Sequence, residues 1–205
     1  MRILKIATIA AVLSVPALAQ AQIKQPGAHT QYSFELEPHF VFGWAGGPAF
    51  YADEGIGAGL RASIPFIDNG PIDKINNNMG ITFGLDYLYY DFDDCFYYGI
   101  NFNLCNNYDF SAHAFWLPVA MQWNFFVHRR ISVFGEVGLA IEHTRFTWVQ
   151  PCPPGIPSPY CEVDDSDTHV RPMFEGGARF MVADSVGFTL RVGWPHLTAG
   201  VSFLL

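Results

Sequence analysis

The chain has 205 residues, half of them apolar and only 15% charged, with Lys+Arg 11 against Asp+Glu 19 and a formal charge of −8. Soluble domains carry roughly 25% charged residues, so much of this surface is expected to face something other than water. The acidic balance excludes a nucleic-acid partner bound through phosphate neutralisation.

At the N-terminus, Arg2 and Lys5 precede an apolar run from Ile6 to Val15, then Pro16 and small residues through Ala21. This is the pattern of a secretory signal peptide over residues 1–21, with small-x-small cleavage points after Ala19 and after Ala21. The run is shorter than the ~20 residues a bilayer span needs, and no later segment offers a spanning helix. Cleavage removes two basic residues, leaving 9 against 19 acidic ones and a formal charge of −10. No cysteine follows either cleavage point, so lipidation of a new N-terminus is not indicated.

Residues 22–33 read as a flexible polar leader carrying Pro26 and Gly27. From Phe34 onward, side chains alternate apolar and polar, the period of a half-buried strand. The first strand, Phe34 to Trp44, sets Phe40, Phe42 and Trp44 on one face and Glu37, His39 and Gly43 on the other. The second, Ile56 to Phe66, sets Leu60, Ile64 and Phe66 against Gly59, Arg61 and Ser63. Asn69, Gly70, Pro71 and three consecutive asparagines then mark a turn. A third strand, Met79 to Tyr90, carries Asp86 among its polar set. The fourth, Phe110 to Phe126, has Gln122 and Asn124 opposite Leu117, Val119 and Met121.

A link at Val127 to Arg130 leads to a fifth strand, with Glu136 and Glu142 opposite Val133, Val137, Leu139 and Ile141. The sixth, Val170 to Val182, sets Glu175 and Arg179 against Phe174 and Phe180. The seventh, Val186 to Trp194, sets Arg191 against Leu190 and Val192. The eighth runs from Leu197 to Leu205. An even count lets both termini lie at one end.

Four cysteines form two close pairs, Cys95 with Cys105 and Cys152 with Cys161. In an exported chain these are expected as disulfides. Of the three pairings that four cysteines allow, the local one closes two short loops without bringing distant segments together. The rival reading is a zinc site, whose usual CxxC spacing is missing here. Both cysteine loops, 92–109 and 147–168, are acidic and lack Lys and Arg, with carboxylates at Asp93, Asp94, Asp109, Glu162, Asp164, Asp165 and Asp167. Asp164, Asp165 and Asp167 are the candidates for a divalent cation, as hard oxygen ligands.

The alternation and loop lengths from Phe34 to Leu205, with aromatics sorted to both strand ends, resemble the small OmpA-type or OmpX-type outer-membrane barrels. That resemblance implies an all-β, eight-stranded antiparallel up-and-down transmembrane β-barrel in the outer membrane of a Gram-negative bacterium. The apolar face would then meet lipid and the polar face a lumen. Residues 22–33 become a periplasmic leader and residues 34–205 a stand-alone barrel. With the N-terminus in the periplasm both cysteine loops face outward, whereas Ile67 to Asn78 is long for a periplasmic turn. Implied partners are outer-membrane lipids, lipopolysaccharide, the barrel-assembly machinery and an extracellular ligand held by the outer loops. Such families usually end on an aromatic residue, whereas this chain ends Phe203, Leu204, Leu205.

Inside such a barrel, Arg61, Asp86, Glu136, Glu142, Glu175, Arg179 and Arg191 would form a charge network closing the lumen, joined by Glu37. Arg61 with Asp86 and Arg179 with Glu175 are the expected pairs. The function expected is structural or cell-surface interaction, with no cofactor and no catalytic residue. One alternative is a narrow gated channel in which a carboxylate exchanges between two Arg partners. A second is an outer-membrane lipid-modifying enzyme, for which only a His143 and His169 dyad near the outer rim offers candidates.

Overall fold

The computed structural model describes residues 22–43, 54–92, 110–152, 160–194 and 196–205. The expected signal peptide, Trp44, the Cys95 and Cys105 pair, and Asp93, Asp94 and Asp109 lie outside the described residues. Eight strands form one closed antiparallel ring in chain order: β1 (Glu35–Gly43), β2 (Gly55–Ile67), β3 (Asn77–Phe92), β4 (Phe110–His128), β5 (Ile131–Pro151), β6 (Tyr160–Met181), β7 (Val186–Gly193) and β8 (His196–Leu204). β1 pairs with both β2 and β8, so the sheet has no edge at barrel level.

The faces are inverted relative to a soluble protein. Phe40 is 75% exposed, Phe174 66% and Leu139 57%, while Arg61, Arg179 and Arg191 are each 1% exposed. Apolar side chains stand outside and charges inside, an arrangement that demands hydrocarbon around the ring. Tyr89 and Trp194 sit near the ends of their strands remote from the termini. Phe66, Trp123, Phe125 and Phe203 lie toward the end that holds the termini, so two aromatic girdles bound the apolar band.

Stepping across paired residues from Ile56 through Tyr89, His113 and Arg145 reaches Ser166 on β6. Stepping the other way through Phe42, Leu197 and Val192 reaches Gly176, so the ring closes with a stagger of ten residues. A stagger of that size tilts the strands by ~40° and leaves room only for side chains within.

Two segments differ from the sequence reading. The leader is not free: Ser33 and Phe34 donate their backbone N–H groups to the Leu205 carbonyl at 2.8 and 3.1 Å. His29 stacks on Phe126 at 4.2 Å and hydrogen-bonds Asn76 at 2.7 Å, folding residues 22–34 under the termini end of the barrel. The long turn before β3 packs against it, with the Asn76 N–H donating to the Ile23 carbonyl at 2.7 Å. Its length therefore serves to close that end.

The second cysteine loop is mostly strand. β5 and β6 remain paired as far as Pro151 and Tyr160, and Cys152 and Cys161 form a disulfide at the tip. β7 pairs with β6 only from Glu175 to Met181. Above β7 the wall thus rises as a fin in which β6 is paired with β5, and β5 with β4 as far as Trp148, ~40 Å along β6 from Pro172 to Tyr160 at ~3.3 Å per residue. Both faces of β6 are exposed from Asp164 to Val170, so that stretch lacks the period of a half-buried strand, whereas β5 buries Ala140, Glu142 and Thr144.

Placing a charge on the outer band tests this orientation. Val137→Arg is expected to lower the unfolding free energy by ~2–4 kcal/mol if the site lies near the midplane, measured by urea titration of the barrel in lipid vesicles.

Candidate functional site

The inward residues at mid-barrel come from every strand. Arg61 on β2 donates to Asp86 on β3 at 3.0 Å, to Glu136 on β5 at 3.2 Å and to Glu175 on β6 at 3.3 Å. Arg191 on β7 donates to Glu136 at 3.1 Å and also to Glu37 on β1. Glu136 is thus shared by two guanidinium groups, and it accepts a further bond from Gln122 on β4 at 2.7 Å. Ser202 on β8 donates to Glu37 at 3.1 Å. Arg179 pairs with Glu35 at the termini end.

His39 on β1 extends this lattice, its Nε2 lying 2.8 Å from Asp86 Oδ1. Small residues make the approach possible. A Cβ on Gly59 would lie 2.2 Å from Asp86 Oδ1 and 2.5 Å from His39 Nε2. One on Gly84 would lie 3.0 Å from the Arg61 side chain. A glycine facing inward on β2 therefore gives His39 and Asp86 the space in which they meet.

Arg61 and Asp86 are joined, whereas Arg179 contacts Glu35 instead of Glu175. The inward period places Arg179 and Glu175 on one strand face, but the tilt carries Arg179 toward the leader end and leaves Glu175 beside Arg61. Glu142 pairs with Arg171 at 2.7 Å, apart from the central lattice. Glu35, His39 and Arg171 were missing from the expected network. Glu35 and His39 carry the inward period of β1, whereas Arg171 is one residue past the expected start of its strand and has the same parity as Glu175.

Above the central lattice an apolar cluster packs beside the buried Glu142, Thr144 and His196. Val41, Leu88, Tyr90, Ala112, Ala114, Trp116 and Ala140 are buried together, with Phe146 packed against them. This departs from the wholly polar lumen that the resemblance implied. Near the other end, the Phe134 ring lies 5.0 Å from the Arg191 guanidinium carbon and 5.6 Å from that of Arg179.

On the fin, the three aspartates proposed for a cation do not converge. Successive strand residues point to opposite faces, which separates Asp164 from Asp165 and Asp167. Asp164 accepts from Arg145 at 2.7 Å and Thr147 at 2.8 Å, and Asp167 pairs with His169 at 2.8 Å. Among the described residues no group of three or more His, Cys, Asp or Glu is arranged for a metal. The supposed dyad fails on the same parity. His143 faces outward and bonds Thr168 Oγ1 at 2.8 Å, while His169 lies opposite Glu142, on the inner face.

Two outcomes follow. Glu136→Ala removes the carboxylate that Arg61 and Arg191 share, leaving Arg61 with Asp86 and Glu175 and Arg191 with Glu37, and is expected to cost ~2–3 kcal/mol, with a smaller loss for Glu142→Ala, whose partner Arg171 is partly solvated. Urea unfolding in detergent measures both. On the fin, the Arg145 hydrogen bond holds the Asp164 carboxyl below its ordinary 3.8. The Arg145–Asp164 contact is therefore complete above that value and lost as pH falls through the lowered one, a transition to be followed by NMR titration of the Asp164 carboxyl carbon.

Comparison with known proteins gives one family. A family model described as an outer membrane protein beta-barrel domain matches residues 6–200. Among solved structures, Neisserial surface protein A superposes with a TM-score of 0.51 at 13% identity, covering 84% of this chain and 97% of its own. Ail, the attachment invasion locus protein of Yersinia pestis, solved in complex with the heparin analogue sucrose octasulfate, gives 0.46 at 10% identity over 84% of this chain and 97% of its own. No curated protein matches the chain.

Proposed function

Because the chain belongs to the outer-membrane protein β-barrel family, we propose that it works as a closed outer-membrane barrel whose exposed part is the fin that ends in β5 and β6, serving cell-surface interaction. Its location is the outer membrane, with the termini end toward the periplasm and the fin outside.

The observation that carries this reading is the filling of the lumen at three heights. The leader and the Ile67 to Asn78 turn cover the periplasmic end. The Arg61, Glu136 and Arg191 lattice occupies the middle. Leu88, Tyr90 and Trp116 close the outer half with apolar surface. An ion entering from outside would pass the Glu142–Arg171 pair beside Trp116 and would have to shed water against those apolar groups before it reached the central lattice, at a cost set by desolvation. The fin, with its disulfide tip, is then the part offered to solutes, surfaces and an extracellular ligand. Lipopolysaccharide and membrane lipid surround its base. The barrel-assembly machinery would read the Phe203 end of β8.

One observation favours the channel reading as a second choice. Glu136 already contacts two arginines, so a shift toward either one is the exchange a gate would use. The enzyme reading gains nothing from the fin, where His143 and His169 point apart.

Conductance separates the first two. Barrels refolded into planar bilayers, wild type and Arg191→Ala, are expected to be silent, because the apolar layer is intact in both. Stepwise currents in the wild type that change size in Arg191→Ala would establish the channel instead.

A further inference from the structure

Where β6 leaves the barrel it becomes an edge strand. Among the described residues, β7 pairs with it no higher than Glu175, and Tyr160 to Phe174 pair only with β5. An unpaired edge of this length is a template for strand addition, and a second copy of the same chain in the same membrane is the nearest source of one.

Which backbone groups face that edge follows from the hydrogen bonds at the foot of β6. Met181 donates its N–H to the Arg130 carbonyl on the β5 side, whereas Val182 donates to the Val186 carbonyl on the β7 side. The β5–β6 register runs from Met181's neighbour Phe180 to Tyr160 without a shift. Odd-numbered residues of β6 therefore point their N–H groups toward β5, and even-numbered ones point theirs outward, to β7 below and to the free edge above.

Four successive even positions on the free edge are Ser166, Thr168, Val170 and Pro172. Proline has no N–H to offer at Pro172. The Ser166 N–H is taken by Asp165 Oδ1 at 2.8 Å, and the Thr168 N–H by Asp167 Oδ1 at 2.7 Å. The other oxygen of Asp167 is held by His169 Nε2 at 2.8 Å, which fixes the carboxylate in its capping position. Of the four positions on this stretch, two thus have capped donors and one has none.

We propose that Asp165, Asp167 and Pro172 are edge guards: they keep the fin of one barrel from pairing, strand to strand, with the fin of another. An added strand needs alternating donors and acceptors. Along this edge it would meet carbonyls and carboxylates, and its own carbonyls opposite 166, 168 and 172 would be left unpaired. In an antiparallel pairing of two copies, acidic side chains would also face acidic ones, which opposes the contact further. Pro172 lies where the edge departs from the wall, just below Val170, which is 65% exposed. An open N–H there would face the lipid boundary unpaired. The fin's faces and tip are left as its contact surfaces.

The test uses the full barrel in nanodiscs. Asp165→Ala/Asp167→Ala/Pro172→Val opens all three donors and is expected to turn a monomer into a dimer by light scattering. With Thr168→Cys added, its inter-barrel cross-linking should rise several-fold over the guarded protein carrying the same cysteine. Asp165→Asn/Asp167→Asn keeps a capping oxygen and is expected to stay monomeric. A monomeric triple variant, or equal association of the Asn variant, overturns the proposal. In the unmodified protein, the Ser166 and Thr168 amides should exchange with solvent several-fold more slowly than those of Asp164 and Val170. Equal rates overturn it as well, and this readout needs no substitution to fold.

Discussion

A backbone placed in hydrocarbon has to satisfy every N–H and C=O from within the protein, and the remaining features of this molecule follow from that constraint. For strands the solution is closure. Eight strands with a stagger of ten residues meet at the β1–β8 seam, where the Phe34 and Leu205 backbones also bond each other. Closure fixes the tilt, the tilt fixes the width, and the width admits side chains but no solvent column. The same constraint explains why β6 is treated differently once it rises past β7. There β7 no longer supplies a partner, Pro172 has no N–H, and Asp165 and Asp167 accept from the Ser166 and Thr168 N–H groups.

Charges in so narrow an interior need partners on several strands at once. Arg61 binds carboxylates from β3, β5 and β6, and Arg191 reaches β1 and β5, so each guanidinium spans the lumen and ties strands distant in sequence. The net stabilisation from such buried pairs is modest, because desolvation offsets much of the Coulomb attraction. Their effect on specificity is larger. A register slip of one residue on β1, β2, β5, β6 or β7 would turn an Arg or Glu toward lipid and an aliphatic side chain toward the charge lattice. Glycine at Gly59 and apolar packing at Leu88 and Trp116 then shape the rest of the interior around that lattice.

The barrel itself was legible because hydrophobic alternation has one meaning per strand. Leu190 against Arg191, or Val137 against Glu136, states which face is which, and the phases of all eight strands held. Pairing was less legible, since parity tells that Arg179 points inward but not that the strand tilt brings it to Glu35. The β6 side of the fin was missed because both of its faces are exposed. From Cys161 to His169 polar residues occupy both parities, and a sequence of that kind is indistinguishable from a loop by period alone. The leader was missed for a different reason. His29 and Asn76 carry no periodic signal, and their contact joins residues 47 apart in sequence. The three asparagines read as turn formers are also buried donors and acceptors. Asn77 accepts from Trp123 at 2.9 Å and Asn124 donates to Asn78 at 2.8 Å.

The orientation of the two side-chain sets is the claim on which the lumen, the girdles and the fin all rest. It is tested most directly by through-space NMR contacts between methyl groups and lipid chains in nanodiscs. The account predicts strong lipid contacts for Val137, Leu139 and Leu190 and none for Leu88, Val41 and Met173. Lipid contacts at Leu88 and Met173, with Val137 and Leu190 shielded from lipid, would contradict it.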